Sequence, residues 1–155
     1  MGTVNYTFHE VVAGNAFLVR WASLSTSSGT ADAGQPFPSS LQYALGSSLF
    51  SDKSVQVYPF AAASDTTLLI QGCNRMDVVD PANYIWATLS DANGNALIFS
   101  AADATTARPP RLEQVLENTW VIRPVVTSVS NVAFATQTVT VDLLLTSVRS
   151  ARSGM

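Results

Sequence analysis

The chain has 155 residues, of which 47% are hydrophobic and 12% are charged, and its formal net charge at pH 7 is −3. This length fits one domain with its own core, without metal or disulfide support. A single lysine and an acidic balance argue against direct nucleic-acid binding, which needs clustered cations to neutralise phosphates. So little charge indicates a surface partly covered by partners, because a free monomer usually needs more charge to stay soluble.

No membrane partner is expected. The apolar runs are shorter than the roughly 18 residues of a spanning helix. The first residues lack the basic start and long apolar core of a signal peptide. The lone Cys73 cannot form a disulfide within the chain.

Short runs of apolar residues, several of them alternating with polar ones, predict an all-β fold. Turns rich in Gly, Pro, Asn and Asp separate them, which is typical of an antiparallel β-sandwich or jelly roll. We expect residues 1–155 to form a single β-sandwich domain. The predicted strands are 4–9, 16–21, 54–60, 66–72, 84–90, 96–100, 120–126 and 138–148.

Residues 22–40, ASLSTSSGTADAGQPFPSS, form a stretch rich in Ser, Thr, Ala and Gly. It is longer than ordinary connections in compact domains, so it is either disordered or functional. We expect a flexible arm or loop that lies on a neighbouring molecule in an assembly, with Phe37 as a candidate interface residue.

The sequence DANGN at 91–95 predicts a tight turn between two strands. Asn-Gly supplies the positive φ angles that such a turn needs. DxNxN also resembles the start of a calcium loop. The glycine and the acidic residue that this loop requires are replaced by Ala96 and Ala102, so no metal is expected.

One short helix is predicted at 109–119, PPRLEQVLENT. Proline stands at its start, and Leu112, Val115 and Leu116 share one helical face.

No motif points to catalysis or to a cofactor. The chain has one histidine, His9, and one cysteine, Cys73, which is too few ligands for a typical zinc site. Nucleophile-elbow and phosphate-loop patterns are absent. We therefore expect a protein that is not an enzyme and that binds no cofactor.

The aromatic residues of the predicted strands allow two interpretations. Alternating aromatics such as Tyr84 and Trp86 usually pack in a core. If Trp21 or Trp86 faced outward instead, it would offer a platform for a sugar.

The second half of the chain resembles a known family. The segments that carry the resemblance are 71–74, 84–103 (YIWATLSDANGNALIFSAAD), 112–127 (LEQVLENTWVIRPVVT) and 138–145. Together they resemble small β-sandwich head decoration, or cement, proteins of tailed bacteriophages, and the resemblance covers about residues 54–146. The chain departs from that pattern at SVSNVAFATQ, where the family has a short Gly/Asp turn.

The resemblance implies a virion structural protein that binds the outer capsid surface and stabilises the shell. Its partners would be the major capsid protein and copies of itself, as a dimer or trimer at symmetry axes. It would be made in the host cytoplasm and reside on the virion. The expected interface residues lie in the 22–40 arm, the 128–136 loop and the tail 147–155, and they are Phe37, Val132, Phe134, Arg149 and Arg152.

Two alternatives remain open. The chain also has a partial likeness to discoidin-like carbohydrate-binding sandwiches, which favours a carbohydrate- or receptor-binding domain on a virion. A shell or tail-tube subunit is the other possibility, since a jelly roll can itself build a shell, and fold likeness does not decide function.

Arg123 stands within the strongly β-like run WVIRPVV, next to Pro124. Proline cannot donate to a ladder, so the run is predicted to be an edge strand or to leave its sheet at 124. Arginine has an apolar stem and five donors, which favours a structural clamp. We expect its guanidinium to reach the Asp91 turn or the carboxylate of Glu117.

Overall fold

The computed structural model describes residues 2–12, 16–25, 32–39, 50, 52–58, 67–74, 84–100, 111–127 and 138–146. All regular structure in these residues is β, which confirms the all-β part of the prediction. The strands are β1 (Thr3–Val4), β2 (Tyr6–Val12), β3 (Ala16–Ser25), β4 (Ala33–Gly34), β5 (Asp52–Val57), β6 (Thr67–Cys73), β7 (Ala87–Thr88), β8 (Ile98–Ser100), β9 (Arg111–Gln114), β10 (Val121–Thr127) and β11 (Thr138–Thr146).

The strands form two sheets. Sheet A has the order β1-β4-β10-β6-β7, with β8 also paired to β6, and sheet B has the order β2-β3-β11-β5-β9. Pairing is antiparallel except between β1 and β4. Strand β11 lies at the centre of sheet B, with β3 on one side and β5 on the other.

Alternation along β11 and β5 sets the inner face of sheet B. Val141, Leu143 and Leu145 are buried, while Leu144, between the last two, is exposed. In β5 the buried positions are Lys53, Val55 and Val57. A period of two is the signature of a strand with one face toward a core.

Both sheets contribute to one hydrophobic cluster, as in a β-sandwich. Val19 and Leu143 of sheet B belong to the same buried cluster as Leu68 and Ile122 of sheet A. Burial of this apolar surface is the main driving force for packing the two layers.

The described residues of the predicted arm at 22–40 pack on the body of the fold, and some of them contribute to its core. Residues 22–25 belong to β3, and residues 32–39 run beside β10. Phe37 is completely buried, with ring centroids 5.4 Å from Tyr6 and 5.7 Å from Phe8. Residues 26–31 and 40 lie outside the described residues.

Strand β10 is an interior strand, so the prediction that it is an edge strand or leaves its sheet at Pro124 is wrong. It pairs with β6 from Val121 to Thr127. On its other side, Ile122 N–H donates to Phe37 O and Val126 N–H donates to Asp32 O, both at 2.8 Å. These two bonds flank Pro124, so the missing donor interrupts the ladder at one position only.

The predicted turn at 91–95 is present, but its two arms do not extend as a two-stranded hairpin. Gly94 has a φ of 84°, and the turn is closed by a bridge between Ser90 and Ala96. Strand β7 lies before the turn and β8 after it, and both pair antiparallel with β6. The turn is therefore a protrusion from one interrupted strand along β6.

The predicted helix at 109–119 is wrong for residues 111–119. Arg111–Gln114 form β9, which pairs with the open edge of β5. Of the three apolar residues of the expected helical face, Val115 is buried, whereas Leu112 and Leu116 are 63% and 57% exposed. Pairing with a sheet edge outweighs a local helix preference, which is worth only tenths of a kcal/mol per residue for such residue types.

Candidate binding face

Sheet A carries a second, smaller cluster on the side opposite the main core. Alternate residues of β6 and β10 point there, with Cys73 opposite Val121 and Gln71 opposite Arg123. Tyr84 is buried with Cys73 and Val121, and Trp86 and Trp120 pack against them. We call the set Gln71, Tyr84, Trp86, Trp120 and Arg123 the aromatic–arginine face.

Arg123 is held by its cross-strand neighbour and by an indole ring. Its Nε and one terminal nitrogen donate to Gln71 Oε1 at 3.2 and 3.0 Å. Its guanidinium carbon lies 4.0 Å from the ring centroid of Trp86, which is a cation–π arrangement. Among the described residues the guanidinium uses two of its five donors, so others are available to a partner.

The electrostatic environment of Arg123 differs from that of a paired arginine. Desolvation by burial lowers the pKa of its guanidinium. Among the described residues, no carboxylate forms an ion pair with it. A desolvated cation without a counter-charge is suited to receive a carboxylate from another molecule.

The predicted carboxylate partners of Arg123 are engaged elsewhere, so that prediction is wrong. Asp91 Oδ1 accepts hydrogen bonds from Asn93 N–H at 2.8 Å and Asn95 N–H at 2.9 Å. Glu117 Oε2 accepts from Ser90 N–H at 2.7 Å. Both carboxylates stabilise the turn at 91–95, and the cation instead finds the neutral amide of Gln71.

Ile85 lies between two members of the aromatic–arginine face in sequence and is 75% exposed. Trp86 is partly exposed, and its ring centroid lies 5.6 Å from that of Tyr84. Trp, Tyr and Arg are the residue types that dominate binding energy at protein interfaces. This combination of residues can bind an apolar and acidic protein surface.

A second polar cluster lies on the outer face of sheet B. Arg20 donates to both oxygens of Asp142 at 2.7 Å, and Tyr58 OH donates to Asp142 Oδ2 at 2.9 Å. The hydrogen bond to Asp142 is the main cause that raises the pKa of the Tyr58 hydroxyl. Because Asp142 is buried and its charge is already paired, this cluster is a structural link between β3 and β11.

The other residues predicted for interfaces or sugar binding fall in different places. Phe37 is a core residue, because Tyr6 and Phe8 enclose it. Trp21 is also buried, and its Nε1 donates to Gln35 O at 2.9 Å, so it cannot be a sugar platform. The positions Val132, Phe134, Arg149 and Arg152 lie outside the described residues, as does the tail 147–155.

Lys53 belongs to no recognisable sequence motif. It is the only lysine, and it is 4% exposed on the inner face of β5. The alternation of Lys53 with Val55 and Val57 was a signal that could have found it.

Neither candidate for chemistry named in the sequence lies in an evident site. His9 is exposed on β2, and Cys73 is buried. Among the described residues, no group of three or more His, Cys, Asp or Glu side chains could hold a metal ion. In the same part of the chain, no helix is long and apolar enough to cross a membrane.

Comparisons with protein-family models, with curated proteins and with solved structures find no match to this chain.

Proposed function

We propose that the chain is a non-enzymatic head decoration (cement) protein of a virion. It binds the outer surface of a shell built from a major capsid protein and stabilises that shell. The resemblance of residues 54–146 to decoration proteins of tailed bacteriophages supports this proposal. The proposal also takes the two sheets to form a jelly-roll sandwich, which is supported by the early strand β3 lying beside the last strand β11.

The structural observation that carries the proposal is the aromatic–arginine face. Arg123 lies over Trp86 without a carboxylate partner among the described residues, and Ile85, which precedes Trp86 in the chain, is exposed. The major capsid protein would supply the missing carboxylate and an apolar contact. A protein that binds only the assembled lattice stabilises it by linkage, and the shell repeats the contact many times.

Assembly, location and other partners follow from the same proposal. The protein is made in the host cytoplasm, and its final location is the capsid surface of the virion. Copies of it meet as a dimer or trimer at symmetry axes, because symmetric shells favour symmetric partners. Direct binding of nucleic acid is not part of the proposal, since low charge and a single lysine offer few cations to neutralise phosphates.

A binding experiment with assembled shells tests the proposal. We expect the wild-type chain to bind shells that lack it and to raise the temperature at which they break. Ile85→Asp places a charge between Tyr84 and Trp86 in the chain and should weaken binding about tenfold or more. Leu112→Asp is the matched control, because Leu112 is similarly exposed on sheet B and outside this face. Both substitutions should leave the stability of the free chain within about 0.5 kcal/mol.

Two results would contradict the proposal. If shells do not assemble at all without the chain, it is a shell subunit. A wild-type chain that does not bind assembled shells also overturns the proposal.

A carbohydrate- or receptor-binding domain is the second candidate, because Trp86 is partly exposed. It has less support, since the Arg123 guanidinium already covers one side of this ring at 4.0 Å. Glycan-array binding that is lost with Trp86→Ala would favour this second candidate.

A further inference from the structure

The environment of Lys53 is unusual for a lysine. Its Nζ donates to Asn118 Oδ1 at 3.0 Å and to Phe50 O at 3.3 Å. Both acceptors are neutral, and among the described residues no carboxylate forms an ion pair with it. Burying an ammonium group beside neutral oxygens alone is costly. The fold therefore favours any reaction that removes this charge.

The amine and the amide are both held in place. Val115 N–H donates to Lys53 O at 2.9 Å, which fixes the chain leading to Asn118 against β5. On the other side, Leu116 N–H donates to Ser90 O at 2.9 Å. Reactions between groups held at contact distance are strongly accelerated relative to the same groups free in solution.

Burial also affects the reactivity of the amine. Desolvation lowers the pKa of the Lys53 ammonium, although the nearby Asp52 charge acts in the opposite direction. A lower pKa increases the fraction of neutral amine, which is the nucleophilic form. The side chain of Asn118 is exposed, so a small leaving group has a path to solvent.

We propose that Lys53 and Asn118 form an isopeptide bond within the chain. Lys53 Nζ attacks Asn118 Cγ, a new Nζ–Cγ bond forms, and the Cγ–Nδ2 bond breaks. The two protons that the lysine ammonium loses leave with Nδ2, so the products are a neutral amide and one ammonium ion. No oxidant, reductant or co-reactant is consumed. The remaining amide N–H can keep its hydrogen bond to Phe50 O.

The bond would join β5 of sheet B to the segment that enters β10 of sheet A. The two residues are 65 positions apart, so a large loop of the chain would be closed. Closing a long loop restricts the unfolded chain and stabilises the fold. This inference is independent of the proposed binding function, since it concerns the chain by itself.

Intact mass is the first test. The denatured wild-type chain should be lighter than its sequence by one ammonia, about 17 Da. Asn118→Ala and Lys53→Met should each have the full mass of their sequences. Asn74→Ala is the matched control, because Asn74 lies at the end of β6 and should leave the loss of ammonia unchanged.

Lysyl endopeptidase gives the second test, because Lys53 is the only lysine in the chain. The denatured wild-type chain should resist this protease, since an acylated lysine is not recognised. Asn118→Ala should be cut into two fragments, whether or not this variant folds. A wild-type chain of full mass overturns the proposal. A lighter chain that is still cut after Lys53 also overturns it, because the ammonia was then lost elsewhere.

Discussion

Gly34 of β4 lies directly against the ring of Pro124 in β10. A Cβ added at Gly34 would be 2.6 Å from Pro124 Cδ and 2.6 Å from Trp21 Cδ1. This contact explains how a proline fits inside a sheet. The neighbouring strand has a residue without a side chain at the position where the proline ring projects.

Gly34→Ala should therefore destabilise the fold. Neither a proline ring in a strand nor a buried indole can move freely, so the added methyl group causes overpacking of about 1–3 kcal/mol in the free energy of unfolding. Urea unfolding measures this loss.

Gly94→Ala is a control that separates overpacking from backbone strain, because its added Cβ meets open space while its φ of 84° remains costly. We expect about 1 kcal/mol for that control. Wild-type stability of Gly34→Ala would show that the close contact is not a constraint.

Arg123 and Trp86 should be energetically coupled. Arg123→Ala removes both the stacking on Trp86 and the hydrogen bonds to Gln71, and should lower the free energy of unfolding by about 1–3 kcal/mol. A double-mutant cycle with Trp86→Leu should give a coupling energy of about 0.5–2 kcal/mol. Arg123→Lys keeps the charge but lacks the planar fork, so it should recover less than half of the loss.

The outcome of this cycle also decides what Arg123 does. Lower stability in Arg123→Ala supports a clamp that holds β6 and β10 together. Unchanged stability together with lost binding to shells would make Arg123 an interface residue alone.

Sequence patterns were sufficient to predict features that depend on residues close together in the chain. Alternation in β5 and the apolar, β-branched run of β11 predicted strands, and Asn93-Gly94 predicted a turn with a positive φ. These are local patterns, in which side-chain period and backbone angle are set within a few residues.

Features that depend on distant pairing were not predictable in this way. Arg123 faces Gln71 because β10 and β6 pair in one particular register, and no local pattern contains that register. Similarly, β9 formed where a helix was expected, because the edge of β5 is available only in the folded chain. The interior position of Pro124 depends on Gly34, 90 positions earlier in the chain.

The turn at 91–95 should make stability depend on acid pH. Hydrogen bonds, first from Asn95 N–H, lower the pKa of Asp91. For Glu117, desolvation raises the pKa, but hydrogen bonds from Ser90 together outweigh it and leave the pKa lowered. Carboxylates with a lowered pKa in the folded state stabilise it above their ordinary pKa of about 4, and this stabilisation is lost as pH falls through the folded value.

Urea unfolding at a series of pH values measures this effect. The free energy of unfolding of the wild-type chain should fall as pH decreases from about 5 to 2. Asp91→Asn and Glu117→Gln should each be less stable at pH 7 and should show a shallower fall. Asn93→Ala changes the same turn without changing a charge, so its slope should match that of the wild type. Equal slopes in all four proteins would rule out these two carboxylates as the cause.

As a pair, Arg20 and Asp142 should contribute more to the free energy of unfolding than either residue does alone. Asp142 is 6% exposed, and Arg20 supplies two of the three donors that contact its carboxylate. Arg20→Ala leaves a buried charge with Tyr58 OH as the remaining partner, so we expect a loss of about 1–3 kcal/mol in the free energy of unfolding. Tyr58→Phe removes one donor and should cost less, about 0.5–1.5 kcal/mol.

Arg20→Ala combined with Asp142→Ala should be less destabilising than the sum of the two single changes, because the unpaired charge is then gone. Additive losses in this cycle would show that the two side chains, although in contact, do not stabilise the sheet through each other.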